Sequence, residues 1–304
     1  MWQMRYIQHS EIDFLKWDEC IDASPNGLLY AYSWFLTTMS PGWDALVLND
    51  YEAVMPLAQR KKWGIRYLYQ PAFCAELGVF SRAEISSSLV SAFLNEIPAH
   101  FRFIDICLNR SNHLPIERYS FDTRNNYLLS LNADYKTIAG NYLLNHKRNI
   151  RKAVNSGFRW SKDVSIDKAV EIARHALKDI TDLPEDDWQN FAAVFRKAQS
   201  KHSGICAGVM NEDGELLSVA VFIHAHGLWH YLLAGSTEKG RKSGAAHFLI
   251  DQFIQQHAGS KNSLDFEGSD IASVAFFYRG FGASGIHYPS LRLNRLPLLI
   301  RWMK

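Results

Sequence analysis

Cysteine is scarce in this chain, and the four present, Cys20, Cys74, Cys107 and Cys206, form no Cys-x-x-Cys pair. That argues against a zinc ribbon, a dithiol redox motif or a disulfide framework, and leaves reduced, mostly buried thiols as the expectation. Charge of one sign is also lacking: 33 Lys and Arg stand against 31 Asp and Glu, a formal net charge of +2. No global field draws in nucleic acid or an anionic membrane, so any anion site has to be local. No apolar run reads as a membrane span. The most apolar long stretch, Leu216 to Leu233, is broken by His224, His226, Gly227 and His230 and reads as two strands around a turn. The opening Met1-Trp2-Gln3-Met4-Arg5 lacks the charged-then-apolar order of a signal peptide. The expected compartment is the cytoplasm, with no membrane insertion and no DNA partner.

What is present is enough for substantial cores: 47% hydrophobic and 13% aromatic residues in 304. A chain of this length favours two domains. In the first half, Phe14, Leu15 and Trp17 recur at helical spacing behind Ser10, which predicts a helix from Glu11 to about Ile21 with Ser10 as N-cap. Short strands alternate with helices from there to a strand at Asn126 to Ser130, giving an α/β layer structure. Residues Asp134 to Asn155 read as one long helix or a helical pair, stopped by Gly157. The join is placed after this segment, giving domains over 1–155 and 156–289. The apolar stretch Leu296 to Met303 is expected to bring 290–304 back onto the first. The second half repeats the first in outline, ending with a strand at Ser263 to Phe266, a helix at Ile271 to Tyr278 and a strand at Ile286 to Tyr288.

Several constellations carry chemistry. Asp265 and Glu267 alternate along one strand, so both side chains are expected on one face, with Asp270 at the start of the next helix. A carboxylate at a cleft edge accepts a proton from an attacking amine; the plainer reading is a helix N-cap. The segment from Ser236 to Ala246 joins a strand to a helix and holds Arg241, Lys242, Ser243, Gly244, Ala245 and Ala246. Small residues let backbone N–H groups approach an anion and a helix start adds positive potential; a solvated basic loop is the alternative. Lys147 and Arg151 lie one turn apart, as do Arg148 and Lys152, forming a stripe that suits phosphate, a tRNA backbone or plain solvent. Arg60-Lys61-Lys62-Trp63-Gly64 reads as a hairpin tip near an acceptor groove or as an ordinary exposed loop. His224, His226 and His230 crowd a turn, but no acid or thiol stands near them in sequence, so no metal site is expected. One of them remains eligible as an acceptor-side base.

Leu264-Asp265-Phe266-Glu267-Gly268, followed by Phe276-Phe277-Tyr278-Arg279-Gly280-Phe281-Gly282, resembles the closing half of a GNAT-type acyltransferase domain in its FemAB-like variant, that of aminoacyl and peptidyl transferases. Asn149-Ile150-Arg151-Lys152-Ala153 is similar to that family's inter-domain helix. The resemblance implies two tandem GNAT-like domains with mixed, mostly antiparallel sheets flanked by helices. It implies an acyltransferase acting on an amine, a small molecule, amino sugar or peptide, bound between or beside the domains. Arg241-x-x-Gly244-x-Ala246 matches the pattern with which GNAT acetyltransferases wrap the pyrophosphate of coenzyme A, which makes acyl-CoA the expected co-substrate. Tyr278 falls where GNAT enzymes often place the tyrosine that protonates the departing thiolate, although FemAB relatives commonly have lysine there. The expected site is therefore Asp265, Glu267 and Tyr278 for catalysis, Arg241 to Ala246 for the donor, and Lys147, Arg148, Arg151 and Arg279 for substrate. An aminoacyl-tRNA-dependent ligase acting on a cell-wall precursor, and a binding protein that kept the fold without its chemistry, are the competing readings.

Overall fold

A carboxylate, not a hydroxyl, starts the first helix. The computed structural model, which describes residues 3–115, 119, 121–268 and 270–296, opens with β1 (Met4–Ile7) and then α1 (Phe14–Ala23). Asp13 caps α1, accepting from the backbone N–H groups of Leu15 and Lys16 at 3.1 Å each. The helix thus begins later than Glu11, and Ser10 lies in a 3-10 turn over His9–Glu11. The carboxylate of Asp13 satisfies two of the orphan donors at the helix start, which a cap at Ser10 leaves unserved.

The chain divides into two units, Met1–Arg124 with His287–Lys304, and Asn125–Ile286. In the first unit α1 is followed by α2 (Ser33–Met39), β2 (Asp44–Leu48), β3 (Ala53–Leu57), β4 (Gln59–Lys62), β5 (Ile65–Leu68), β6 (Phe80–Ser81), α3 (Ser87–Asn95) and β7 (Phe101–Cys107). Strands β1-β2-β3-β6 form an antiparallel sheet. Strand β4 pairs antiparallel with β5, and β5 pairs parallel with β7. Strands β2 and β3 are buried along their whole length, and with Val90, Phe93, Phe101 and Ile104 they supply the core of this unit. Cys20, Cys74 and Cys206 are buried and Cys107 half-buried, all as free thiols.

The second unit contains most of β8 (Phe121–Ser130), then α4 (Tyr135–Gly140), α5 (Leu144–Asn155), β9 (Arg159–Ser161), α6 (Ile166–Leu177), α7 (Glu185–Ser200), β10 (Gly204–Met210), β11 (Leu216–Ala225) and β12 (Leu228–Ser236). It closes with α8 (Glu238–Ser243), α9 (Ala245–His257), β13 (Ser263–Gly268), α10 (Ala272–Arg279) and the first residues of β14 (Ser284–Asn294), whose later residues pair with β7. The strand order is β8-β13-β12-β11-β10-β9, antiparallel except for β12 against β13. The division falls earlier than the join after Asn155. The reason is packing: β8 pairs with β13, and Tyr127, Leu129, Ile138, Tyr142 and Ala153 belong to the same core as α9 and β13. Beyond Leu296, the apolar C-terminal stretch lies outside the described residues. Among the described residues, no helix is long and apolar enough to cross a membrane.

Candidate active site

Strands β12 and β13 run parallel through a crossover containing α8 and α9, and their register covers only Leu228–His230 against Ser263–Asp265. Beyond that point β12 continues to Ser236 and β13 to Gly268 without further pairing to each other. On its other side β13 loses register with β8: Asp265 faces Leu128 and Gly268 faces Asn126, so β13 carries one extra residue. Such a bulge bends the strand and re-aims a side chain. Here the re-aimed residue is Glu267, held at φ 60, where L-residues are rarely found. The Asp265 carboxylate fixes it by accepting from the Glu267 backbone N–H at 2.9 Å.

The bulge sets Glu267 Oε1 at 2.9 Å from Nδ1 of His230, which is fully buried. With Glu267 ionised, the imidazole Nδ1–H donates to the carboxylate and fixes its orientation. Two expectations change here. Asp265 and Glu267 do converge, but through a bulge and a side chain to backbone bond, not through the regular alternation of a flat strand. And acids do stand beside a histidine: one ligating atom each from His230, Asp265 and Glu267 lie within 4.8 Å of one another. Sequence spacing hides this because the pairing of β12 with β13 brings the residues together. Among the described residues, the same three side chains form the group with ligand atoms close enough to hold a cation. The other two turn histidines go elsewhere. His224 pairs across the sheet with Trp229 and His230 with Ile223, so the pleat sends them to opposite faces. His224 Nε2 lies 3.1 Å from Asn262 Oδ1, and His226 sits in the turn itself at φ 49.

Tyr278, on α10, stacks on Phe266 with ring centroids 4.7 Å apart and meets Tyr231 edge-on at 6.2 Å. Burial, reinforced by the Glu267 charge, pushes its phenol well above the usual tyrosine range. It stays protonated at neutral pH and lies within electrostatic reach of Glu267. The aromatic and glycine corner after it has a partner that the sequence alone does not reveal. His146 of α5 donates its Nε2–H to the Phe277 carbonyl at 2.9 Å, and its ring fills the space over Gly280, where a Cβ would lie 1.9 Å from it. Arg279 is exposed, with its Nε 3.4 Å from the Ala275 carbonyl oxygen.

The expected donor loop is the short helix α8, capped by Thr237, whose hydroxyl accepts from the Gly240 N–H at 3.1 Å. Arg241 turns back to donate to the Ser236 carbonyl at 3.0 Å, and Lys242 pairs with Glu238 at 2.6 Å. Ser243 donates to the Gly240 carbonyl at 3.2 Å, and Ala245 and Ala246 form the first turn of α9. Gly244 links the two helices at φ 82, and a Cβ there would meet the Asn149 carbonyl oxygen of α5 at 2.7 Å. Its immediate task is close packing of α5. Gly244→Val is therefore expected to destabilise the second unit by about 2 kcal/mol or more, from backbone strain and overpacking together. Chemical denaturation of the variant checks this. On α5 itself, Arg148 and Arg151 are exposed, Lys147 donates to the Gly140 carbonyl at 2.7 Å, and Lys152 to the Lys242 carbonyl at 2.8 Å. Two substrate candidates thus face solvent while Lys147 closes a helix end.

No family model and no curated protein matches the sequence. Solved structures do match in shape. FemX is 12% identical, with 99% of each chain covered and a TM-score of 0.65. The C-terminal domain (DUF2156) of a putative lysylphosphatidylglycerol synthetase from Agrobacterium fabrum is 10% identical over 95% of this chain and 94% of that one, with a TM-score of 0.58. L-PGS from Bacillus licheniformis is 12% identical over 88% and 90%, with a TM-score of 0.53. At these identities the likeness is one of fold. The chain has a FemAB-like, GNAT-type fold of tandem α/β domains with mixed, mostly antiparallel sheets flanked by helices.

Proposed function

We propose that the second unit is an acyltransferase that moves an acyl group from a thioester of coenzyme A to an amine. The observation that carries this reading is the His230–Glu267 pair at the point where β12 and β13 part, with the protonated Tyr278 beside it. Parted parallel strands leave backbone donors and acceptors with which an extended donor can pair. In the proposed step the amine nitrogen attacks the thioester carbonyl, a C–N bond forms and the C–S bond breaks. Glu267, oriented by His230, takes the amine proton, and the Tyr278 hydroxyl returns a proton to the sulfur. Asp265 holds the bulge and does not exchange protons.

A second donor, aminoacyl-tRNA, is favoured by a separate observation. A Cβ at Gly244 would meet the Asn149 carbonyl oxygen of α5 and the Arg241 guanidinium is turned onto the Ser236 carbonyl, while Arg148 and Arg151 present an exposed basic face. The two donors are separated by incubating the purified chain with acyl-CoAs and a panel of primary amines, and in parallel with charged tRNA. Release of free thiol that depends on the amine supports the first donor. Deacylation of tRNA with transfer to the amine supports the second. Absence of transfer from either would sink the acyltransferase reading.

A further inference from the structure

The β4–β5 hairpin of the first unit concentrates exposed cations around an exposed indole. Its tip is Trp63-Gly64, both at positive φ, 51 and 80, which is the backbone of a two-residue primed turn. Glycine suits that conformation; tryptophan rarely takes it. The indole is nevertheless held there at 73% exposure. Behind it, Arg60, Lys61, Lys62 and Arg66 are exposed, and the hairpin from Gln59 to Leu68 contains no acid. Lys61 and Arg66 stand directly opposite each other in the ladder, a like-charge pair that repels across the strands. Among the described residues, none of Lys61, Lys62 and Arg66 forms an ion pair with a carboxylate.

Cations on an edge strand deter unwanted strand pairing, and β4 is at the end of its sheet. That accounts for the lysines but not for an indole displayed at the apex. A bilayer surface accounts for both. Tryptophan favours the headgroup layer, where its ring is half in apolar surroundings and its N–H stays wet, and clustered cations are drawn to anionic lipid phosphates. Single-stranded nucleic acid fits less well. It calls for a groove and an open aromatic face for stacking, whereas this indole projects from a tip, with the Lys62 ammonium 4.7 Å over its ring.

We propose that this hairpin is a peripheral anchor that seats the first unit on the surface of a bilayer containing anionic phospholipid, with Trp63 in the headgroup layer and Lys61, Lys62 and Arg66 against lipid phosphates. The proposal is independent of the acyl-transfer reading of the second unit. The test is flotation of the full chain with vesicles of phosphatidylcholine alone and of phosphatidylcholine mixed with phosphatidylglycerol. Partition is expected only into the mixed vesicles and is expected to fall as salt is raised. Lys61→Ser and Lys62→Ser should each lower it about fivefold, and Trp63→Ala roughly tenfold, as for partial burial of a large side chain. Trp63→Phe should restore part of the loss. These side chains are exposed, so the variants should melt with the parent. Equal binding to both vesicle types, or partition indifferent to these substitutions, overturns the proposal. So does Trp63-dependent binding of a single-stranded RNA that displaces the chain from vesicles, which would assign the hairpin to nucleic acid.

Discussion

Glu267→Gln is expected to lower the turnover of the proposed acyl transfer by about a hundredfold to ten-thousandfold, the usual contribution of a positioned general base. The substitution removes a proton acceptor and little else. The amide oxygen of glutamine can still accept from His230 Nδ1–H, and the bond from the backbone N–H of residue 267 to the Asp265 carboxylate does not involve the altered side chain. The bulge should survive, with a melting temperature close to the parent. Tyr278→Phe keeps the stack on Phe266 and loses only the hydroxyl, so a fall in turnover of similar order is expected if thiolate protonation limits the rate. Asp265→Asn retains an oxygen for the Glu267 N–H and should stay within about threefold, under 1 kcal/mol in the barrier. This pattern, two large losses and one small, is the signature of the assigned roles. Should all three variants turn over within about threefold of the parent, Glu267 and Tyr278 are structural, and the amine loses its proton to solvent.

Tyr278 was picked out as a proton donor through the family resemblance, whereas the sequence itself singled out Asp265 and Glu267 by their spacing along one strand. It offered His230 only as one of three turn histidines, because His230 reaches Glu267 only through the pairing of β12 with β13. It did not display the bulge, since an extra residue in a strand leaves no mark on apolar alternation. The Phe276 to Gly282 segment was read through its resemblance to the family; that its Gly280 makes room for the His146 ring, from a helix read chiefly for its charge, is a tertiary fact. At Gly244 the sequence suggested an anion cradle; what it did not display is that a Cβ there would meet the backbone of α5, a contact made only by tertiary packing. The domain join was placed by the likeness of the long charged helix to the family's inter-domain helix, whereas its buried residues, His146 and Ala153, tie it to the second unit.

Mild acid is expected to destabilise the second unit strongly, and the cause is its partly buried histidines. His247 is pushed down to about 4 by burial and, secondarily, by the neighbouring His146, whose ring centroid is 4.6 Å away. His146 and His257 are also lowered, in both cases mainly by burial. The bonding of His247 agrees with a neutral ring, because its Nε2 lies 3.3 Å from the Asn149 Nδ2 and can serve only as the acceptor there. An unfolded chain protonates its histidines near pH 6.5, while the folded chain resists until near the depressed value. In between, the unfolded state binds more protons, so stability is full above the unfolded value and falls as pH drops toward about 4. For His247 alone the loss across that window is on the order of 3 kcal/mol, and His146 and His257 add to it. One buried group works in the opposite direction. Asp251 is raised by burial, so its folded form takes up a proton before the unfolded chain does and offsets part of the loss at the acid end. Urea denaturation from neutral pH down to the acid limb should show a midpoint that drops steadily below about pH 6.5. His247→Gln should flatten that limb while leaving a folded protein at neutral pH, since glutamine carries no proton to gain. A parent midpoint that stays level through the window, or an acid limb of equal steepness in the variant, would mean that these histidines titrate normally and that the core around α5, α9 and α10 is open to water.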